Sequence, residues 1–252
     1  MKRSNILFIF ILSLGLATFL IPIGFYRQLD INEIPGIALI FIAIAYLFLF
    51  ILGMYFKFEE SHVSSKEIAL IAIYSAFAAV SRIPFVGIPS VQPVSYLVLC
   101  AGYVFGPLIG FIIGGNTAFI SNIFLGQGVW TIYQVFAWGF FGLIGGILGK
   151  NRSKEPDKWI LALIGFLLAF LYGWFMNVWA WLLIRPITLA SIIATNVQSI
   201  PFDIAHALTN FILLLIFGES TIRILLRYQQ RFEFTIKPSQ EITDISRKKK
   251  IS

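Results

Sequence analysis

Eight apolar stretches, each about as long as a helix that crosses a membrane, constrain this chain more than any other feature of its sequence. A spanning helix needs roughly 20 mostly apolar residues. The stretches cover residues 5–25, 35–56, 66–83, 93–106, 107–125, 131–149, 159–184 and 201–226. The fourth is short, and we expect it to tilt or to pack inside the bundle. Because 58% of the residues are hydrophobic and only 12% are charged, the sequence predicts an all-α polytopic membrane protein.

The positions of Lys and Arg predict how the spans are oriented. With eight spans, Arg27, Arg82 and Arg185 fall on one side of the membrane and all other basic residues fall on the opposite side. Basic loops face the cytoplasm, so we expect a multi-pass protein of the cell membrane with both termini cytoplasmic. Topology thus accounts for the formal net charge of +7, and we do not expect nucleic acid as a partner.

Three regions differ in composition. Residues 1–60 form a plain apolar hairpin; its first span starts like a signal peptide, but its length and the lack of a cleavage site predict an uncleaved helix. Residues 66–228 carry small-residue stripes and scattered polar groups, and we interpret them as the working six-helix module. Residues 229–252 form a basic tail, expected in the cytoplasm near anionic lipid. The single cysteine, Cys100, excludes an internal disulfide.

Polar and aromatic residues of the module gather at the helix ends that are predicted to face outward. A charge at the centre of a membrane costs roughly 2.5–3.5 kcal/mol on insertion scales unless it is partnered, so such groups normally face a bundle interior or a water-filled cavity. The simplest interpretation is a substrate pocket that opens outward. Its predicted residues are Arg82, Gln92, Asn122, Gln127, Trp130, Gln134, Trp138, Asp203 and His206. Trp174, Asn177, Asn196, Gln198 and Asn210 lie at the same end.

The stretch SNIFLGQGVWTIYQVFAWG, residues 121–139, is the most informative part of this group. Its glycines allow a tight turn between two helices. After that turn Trp130, Gln134 and Trp138 recur every four residues and therefore share one helix face. Indole and amide groups on one face suit a large, partly aromatic ligand. The alternatives are that Trp130 anchors the helix at the membrane interface and that Gln134 makes an interhelical hydrogen bond.

Asp203 and His206 are three residues apart at the predicted start of the last span, so they share a face. They could hold a ligand, run a proton relay or bind a metal, although two ligands make a weak metal site. The interpretation that we favour is that Asp203 caps the helix N-terminus while His206 hydrogen bonds inside the bundle. Arg82 could neutralise Asp203, meet an anionic ligand, or extend to the interface.

Small residues four apart on the first module helix and in FGLIGGILG predict close helix approach. In the first module helix these are the pairs Ala72/Ala76 and Ser75/Ala79. In the glycine stretch they are the pairs Gly142/Gly146 and Gly145/Gly149. Each stripe could pack within the chain or contact a partner protein.

Together these pieces resemble a known family. The stretches KEIALIAIYSAFAAVSRIPFVGIPSVQPVSYLVL, GYVFGPLIGFIIGGNTAFISNIFLGQGVWTIYQVFAWGFFGLIGGILG and IPFDIAHALTNFI are similar to the substrate-binding S components of energy-coupling-factor (ECF) vitamin importers. The resemblance covers about 66–228 and leaves residues 1–60 without a counterpart. It implies a receptor that captures a vitamin in an outward-facing pocket and docks, through Ala72 and Ala76, on a membrane coupling subunit that carries two ATPases.

The resemblance also suggests the ligand. The loop PSVQP and the segment QGVWTIYQ are similar to the cobalamin branch of the family, which implies a corrinoid. A mouth lined by tryptophans and amides would also suit thiamin-like or flavin-like compounds. The chain has no glycine-rich phosphate loop, no evident pairing of nucleophile and base, and no predicted metal site or cofactor, so we do not expect an enzyme. The alternative function is a secondary transporter or channel for a small polar solute, but neither inverted repeats nor a midplane ion site is evident.

Overall fold

The computed structural model describes residues 35–60, 65–151, 156–184 and 186–230, and the regular elements in these ranges are all helical. The helices are α1 (Gly36–Glu59), α2 (Ser65–Val80), α3 (Val94–Phe105), α4 (Pro107–Leu125), α5 (Trp130–Leu148), α6 (Lys158–Met176), α7 (Val178–Leu183) and α8 (Leu189–Leu213). A π-helical turn, Leu214–Gly218, extends α8 so that the whole rod runs Leu189–Gln230. Six helical segments in these ranges are long and apolar enough to cross a membrane, which confirms the predicted all-α polytopic class.

The predicted spans agree with the helices over most of the described chain. The first predicted span, 5–25, lies outside the described residues, as does the tail beyond Gln230. The fourth is α3, whose 12 residues are too few to cross a bilayer at 1.5 Å per residue. All of α3 except Tyr96 and Phe105 is buried, which confirms that it packs inside the bundle. The seventh is interrupted at Asn177, which separates α6 from α7.

The prediction that the last span begins at residue 201 is wrong, because α8 already begins at Leu189. The side chain of Thr188 accepts a hydrogen bond from the Ser191 amide at 3.1 Å, and the Ser191 hydroxyl accepts one from the Thr188 amide at 3.0 Å. This reciprocal cap starts the helix. Pro201 lies inside the helix and removes one backbone hydrogen bond without ending it. The expected outer loop is therefore mostly helical.

Glycines bring the backbones of α3, α4 and α5 into direct contact. A β-carbon built on Gly142 would lie 2.0 Å from the carbonyl oxygen of Gly110, and one on Gly102 would lie 1.9 Å from that of Gly142. The same holds for Gly146, where a β-carbon would lie 2.1 Å from the nitrogen of Pro107. Any larger residue would force these helices apart. Of the two alternatives for the FGLIGGILG glycines, packing within the chain is thus confirmed.

The remaining helices cover this three-helix centre from two sides. α2 packs on α4, and α6 pairs with α8, where Leu214 fills the space beside Gly165. α1 crosses α4, α5 and α7. The ring of Phe50 on α1 lies 5.9 Å from that of Phe111 and 5.1 Å from that of Phe136. α1 is thus packed against the module by aromatic contacts.

The turn between α4 and α5 confirms the expected use of glycine. Gly126 has a φ of +106°, a conformation that favours glycine because it has no β-carbon. At Gly128 a β-carbon would lie 2.4 Å from the indole ring of Trp130. These two residues therefore let α5 start directly beside the end of α4.

We expect Gly142→Ala to destabilise the protein, because its methyl group would push against the backbone of α4. Overpacking of this kind costs roughly 1–3 kcal/mol. The measurement is thermal unfolding of the purified protein in one detergent. Gly87→Ala is the matched control, since a β-carbon at Gly87 meets nothing within 4 Å. Equal melting temperatures for the two variants would contradict the close contact of α4 and α5.

Candidate functional site

Arg82, at the end of α2, lies at the centre of a buried polar cluster at the predicted outward end of the module. Its Nε donates to Oε1 of Gln92 at 2.9 Å. Its Nη1 donates to Oγ of Ser121 at 2.6 Å and to Oδ1 of Asn122 at 3.1 Å. The side chain is only 6% exposed, and no carboxylate lies within 4.0 Å of it in the described part of the chain. Arg82 is therefore a buried cation held entirely by neutral acceptors.

A chain of amides and hydroxyls links this cation to α5. Asn122 donates from Nδ2 to Oε1 of Gln134 at 2.6 Å and to Oγ1 of Thr131 at 3.1 Å. The Thr131 hydroxyl donates to Oε1 of Gln127 at 2.9 Å, and Nε2 of Gln127 donates to the Phe119 carbonyl at 3.1 Å. The interhelical hydrogen bond considered for Gln134 is thus present, and it ties Gln134 to the same residue that holds Arg82.

Trp138 lies under the guanidinium and continues the cluster toward α3 and α8. The Arg82 Cζ is 4.7 Å from the centroid of the Trp138 ring, a cation–π contact. Nε1 of Trp138 donates to Oγ of Ser95 at 3.0 Å, and that hydroxyl lies 2.8 Å from Nε2 of His206. His206 therefore hydrogen bonds inside the bundle, as expected. The Oγ atom of Ser95 therefore links α3 with α5 and α8.

Tyr172 on α6 connects this cluster with an aromatic region. Its ring centroid lies 5.4 Å from that of Trp138 and 5.0 Å from that of His206. On its other side Tyr172 lines a cavity of about 360 Å³ between α5, α6 and α7. The cluster itself is closed, since its polar groups bond to one another and none of Arg82, Gln134 or Trp138 lines that cavity.

Asp203 lies apart from Arg82, in a second polar cluster. The Ser199 hydroxyl donates to Oδ2 of Asp203 at 2.8 Å, and Nδ2 of Asn177 donates to Ser199 and to Oδ1 of Asn196, each at 2.9 Å. Asp203 stands inside α8, with its carboxylate against Gly173. The prediction that it caps the helix is therefore wrong, because Thr188 does so. The ion pair considered between Asp203 and Arg82 is absent from the described residues.

The three residues of the α5 face lie at increasing depth. Trp130 is 37% exposed and its ring centroid is 6.3 Å from that of Trp179 on α7, whereas Trp138 is 1% exposed. Trp130 is thus placed where an interfacial anchor would lie, but Trp138 is not. The predicted site residues Arg82, Gln92, Asn122, Gln134, Trp138 and His206 come together, Gln127 and Trp130 lie at the rim, and Asp203 lies in the other cluster.

Sequence reasoning missed the short hydroxyl residues and one tyrosine. Ser95, Ser121 and Thr131 each bridge two polar partners, and Tyr172 joins cluster and cavity. Serine and threonine are common in membrane helices, where they bond to their own backbone, so their type carried no signal. Tyr172 lies on α6, whereas Asp203 and His206 lie on α8. No spacing within a single helix therefore links the tyrosine to the other site residues.

We expect Ser95→Ala to destabilise the folded protein, since it leaves the indole of Trp138 and the imidazole of His206 without their shared partner. Each buried polar group that loses its partner costs about 1–3 kcal/mol. Thermal unfolding measures the effect, and Ser81→Ala is the control because its hydroxyl bonds only to the Ala78 carbonyl one turn back. A Ser95→Ala variant that melts like the control would exclude the bridging role.

The cluster offers a guanidinium, three side-chain amides, an indole and an imidazole beside an aromatic surface. The described residues contain no group of three His, Cys, Asp or Glu side chains that could hold a metal ion. The oxygen of Ser95 is already in contact with an indole and an imidazole. Convergent polar groups beside aromatic side chains are typical of ligand sites.

Comparison with known proteins identifies the module. A family model described as "ECF-type riboflavin transporter, S component" matches residues 62–222. The chain is 28% identical over 102 residues to a UPF0397 protein of Vibrio atlanticus, covering 37% of this chain and 56% of that protein. It is 29% identical over 102 residues to one of Aliivibrio fischeri strain MJ11 (37% and 55%) and 27% identical over 118 residues to one of Aliivibrio salmonicida (42% and 64%).

The chain thus spans between 55% and 64% of the length of these curated relatives. No solved structure matches it. The family match spans α2 to α8, including Arg82, the turn at Gly126 and the α5 face. With its multi-pass helical fold, the chain therefore belongs to the family of ECF-type riboflavin transporter S components.

Proposed function

We propose that residues 66–228 capture a flat heterocyclic vitamin of the flavin class from the outer side of the membrane. The observation that carries the proposal is Arg82, a buried cation that has no carboxylate partner among the described residues and lies on the ring of Trp138. A guanidinium held only by neutral groups can exchange those partners for the carbonyl edge of a ligand without breaking an ion pair. The indole beneath it offers a stacking surface for an aromatic ring.

The rest of the cluster supports a ligand rich in hydrogen-bond acceptors and donors. Gln92, Asn122 and Gln134 present both carbonyl and NH₂ groups; Gln92 accepts from Arg82, and Asn122 donates to Gln134. We infer that a ligand enters between α5, α6 and α8 and replaces the hydrogen bond between Asn122 and Gln134. Gln127 and Trp130 form the rim through which it passes.

The size of the site bears on the choice between a flavin and a corrinoid. The polar groups of the cluster bond to one another, so a ligand has to separate the helices around them. A flavin ring needs a small separation of α5 from α6, whereas a corrinoid macrocycle is several times larger and needs a wide one. The name of the matching family model favours the same ligand. The corrinoid predicted from the loop sequences stays a prediction that the same experiment tests.

Ligand titration of purified variants tests the site. Riboflavin fluorescence should be quenched on binding to the wild type, because the ring stacks on Trp138. Trp138→Ala and Gln134→Leu should each weaken binding roughly tenfold to a hundredfold, equivalent to about 1–3 kcal/mol. Trp159→Phe is the control, because Trp159 lies at the opposite end of the module and is 59% exposed.

Cobalamin and thiamin serve as competitors in the same titration. Displacement of riboflavin by submicromolar cobalamin, or saturable cobalamin binding without riboflavin binding, would support the corrinoid and overturn the flavin. Unchanged affinity in both site variants would remove the α5 face from the pocket. Melting curves of each variant separate loss of binding from loss of folded protein.

We further propose that α2 docks on the coupling subunit of an ECF module with two ATPases, and that residues 1–60 are an accessory hairpin. Ala72 and Ala76 are exposed and lie among the exposed apolar side chains Ile68, Ile73 and Phe77. Ser75 and Ala79 face inward and are buried. The small residues form a shallow strip between larger ones, a surface that lets another helix approach closely.

Ala72→Trp or Ala76→Trp should abolish co-purification with the coupling subunit and leave riboflavin affinity within about twofold, since the indole blocks close helix approach. Leu163→Trp is the control, because Leu163 is a 53% exposed position on α6 away from α2. Loss of riboflavin binding with retained co-purification would show that the strip packs within this chain. Retention of both would place the docking surface elsewhere.

A further inference from the structure

The cavity between α5, α6 and α7 is distinct from the vitamin site, although Tyr172 borders both. Its wall includes Phe136, Phe140, Leu168, Leu171, Trp174 and Trp181, and it carries no charged side chain. A vitamin ring bound there would find only two indoles and a phenol for its many polar atoms. The cavity therefore suits a molecule that is mostly hydrocarbon.

The mouth of the cavity opens toward the membrane. Leu171 is 51% exposed, Trp174 49% and Phe140 38%, and all three belong to helices that are long and apolar enough to span. An exposed apolar side chain on a spanning helix faces lipid or a partner helix. An occupant thus reaches the cavity sideways from the bilayer.

One polar atom in the wall has no hydrogen-bond partner. Nε1 of Trp181 is buried and makes no hydrogen bond within the described part of the chain. An unpaired buried donor costs about 1–3 kcal/mol. An occupant that brings a hydrogen-bond acceptor to this point would remove that cost.

The order of the lining residues along the helices indicates how the occupant is oriented. Leu168 lies near the middle of α6, whereas Trp181 follows the end of α6 at Met176 and belongs to α7. Near α7 the rings of Trp130 and Trp179 are in contact, as in the tryptophan belts of membrane interfaces. The unpaired donor is therefore at interfacial depth and the hydrocarbon-lined part runs toward the membrane centre.

We propose that this cavity holds one acyl chain of a membrane phospholipid, whose ester carbonyl accepts a hydrogen bond from Nε1 of Trp181. An acceptor at the interface followed by a hydrocarbon chain toward the midplane matches the order of groups along the wall. The chain separates α5 from α6 and contacts Tyr172, so the lipid supports one wall of the vitamin site. The proposal does not depend on which vitamin is captured.

Native mass spectrometry after mild delipidation tests the proposal on the full chain. The wild type should retain one phospholipid. Trp181→Phe keeps the ring and removes the donor, and Leu171→Trp fills the mouth; each should lower the retained fraction roughly tenfold, the equivalent of about 1.4 kcal/mol. Trp159→Phe should retain the lipid. Equal retention in all four proteins would overturn the proposal. So would a wild type that retains no lipid, whether the cavity is then empty or filled by residues 1–34.

A comparison of ester and ether lipids then tests whether the hydrogen bond, and not only the burial of the hydrocarbon chain, stabilises the protein. Delipidated wild type should gain more thermal stability from a diacyl phosphatidylglycerol than from the dialkyl ether with the same chains, which lacks the carbonyl. Trp181→Phe should respond equally to both. An equal response of the wild type to the two lipids, or the same ester preference in the Trp181→Phe variant, would exclude the hydrogen bond that defines the site.

Discussion

The direct contact of α4 and α5 backbones determines where the polar groups of this protein lie. At the crossing, Gly110 faces Gly142, and a β-carbon on Gly114 would lie 2.1 Å from the carbonyl of Trp138. Helices that touch without intervening side chains have little freedom to slide or rotate. Their adjoining ends are therefore in fixed register, which brings Asn122 within 2.6 Å of Gln134. The glycines thus fix the relative position of Asn122 and Gln134 although they lie two or three helical turns away from them.

Arg82 and Asp203 show how the fold keeps two opposite charges from neutralising each other. Each is almost fully buried, and each bonds to neutral groups on its own side of the module. Breaking a buried ion pair leaves an uncompensated charge, which costs several kcal/mol. Neutral partners exchange more readily, since one dipole is replaced by another. The separation therefore leaves both side chains with partners that can be exchanged at a lower cost.

The sequence predicted those parts of the structure that depend on hydrophobicity and on helical spacing. Most of the spans, the close helix approach at Gly142 and Gly146, and the shared face of Trp130, Gln134 and Trp138 follow from these two properties alone. Whether the glycines meet this chain or a partner did not follow from them. The start of α8 did not, because Pro201 is a common first residue of a helix and the cap at Thr188 is a local geometry. Hydroxyl bridges such as Ser95 depend on which helices meet, and a single sequence does not contain that information.

The length of the rod that begins with α8 has a consequence for how far the protein extends beyond the membrane. At 1.5 Å per residue, the 42 residues from Leu189 to Gln230 measure roughly 63 Å, about twice the roughly 30 Å hydrocarbon thickness of a bilayer. If Arg223 marks one surface, about 20 residues of the rod bring the other surface close to Asp203. The turns from Leu189 onward then stand above the lipid as a post, with Asn196 and Ser199 on it. Such a post gives a solute in the water a protein wall to meet before it reaches the membrane.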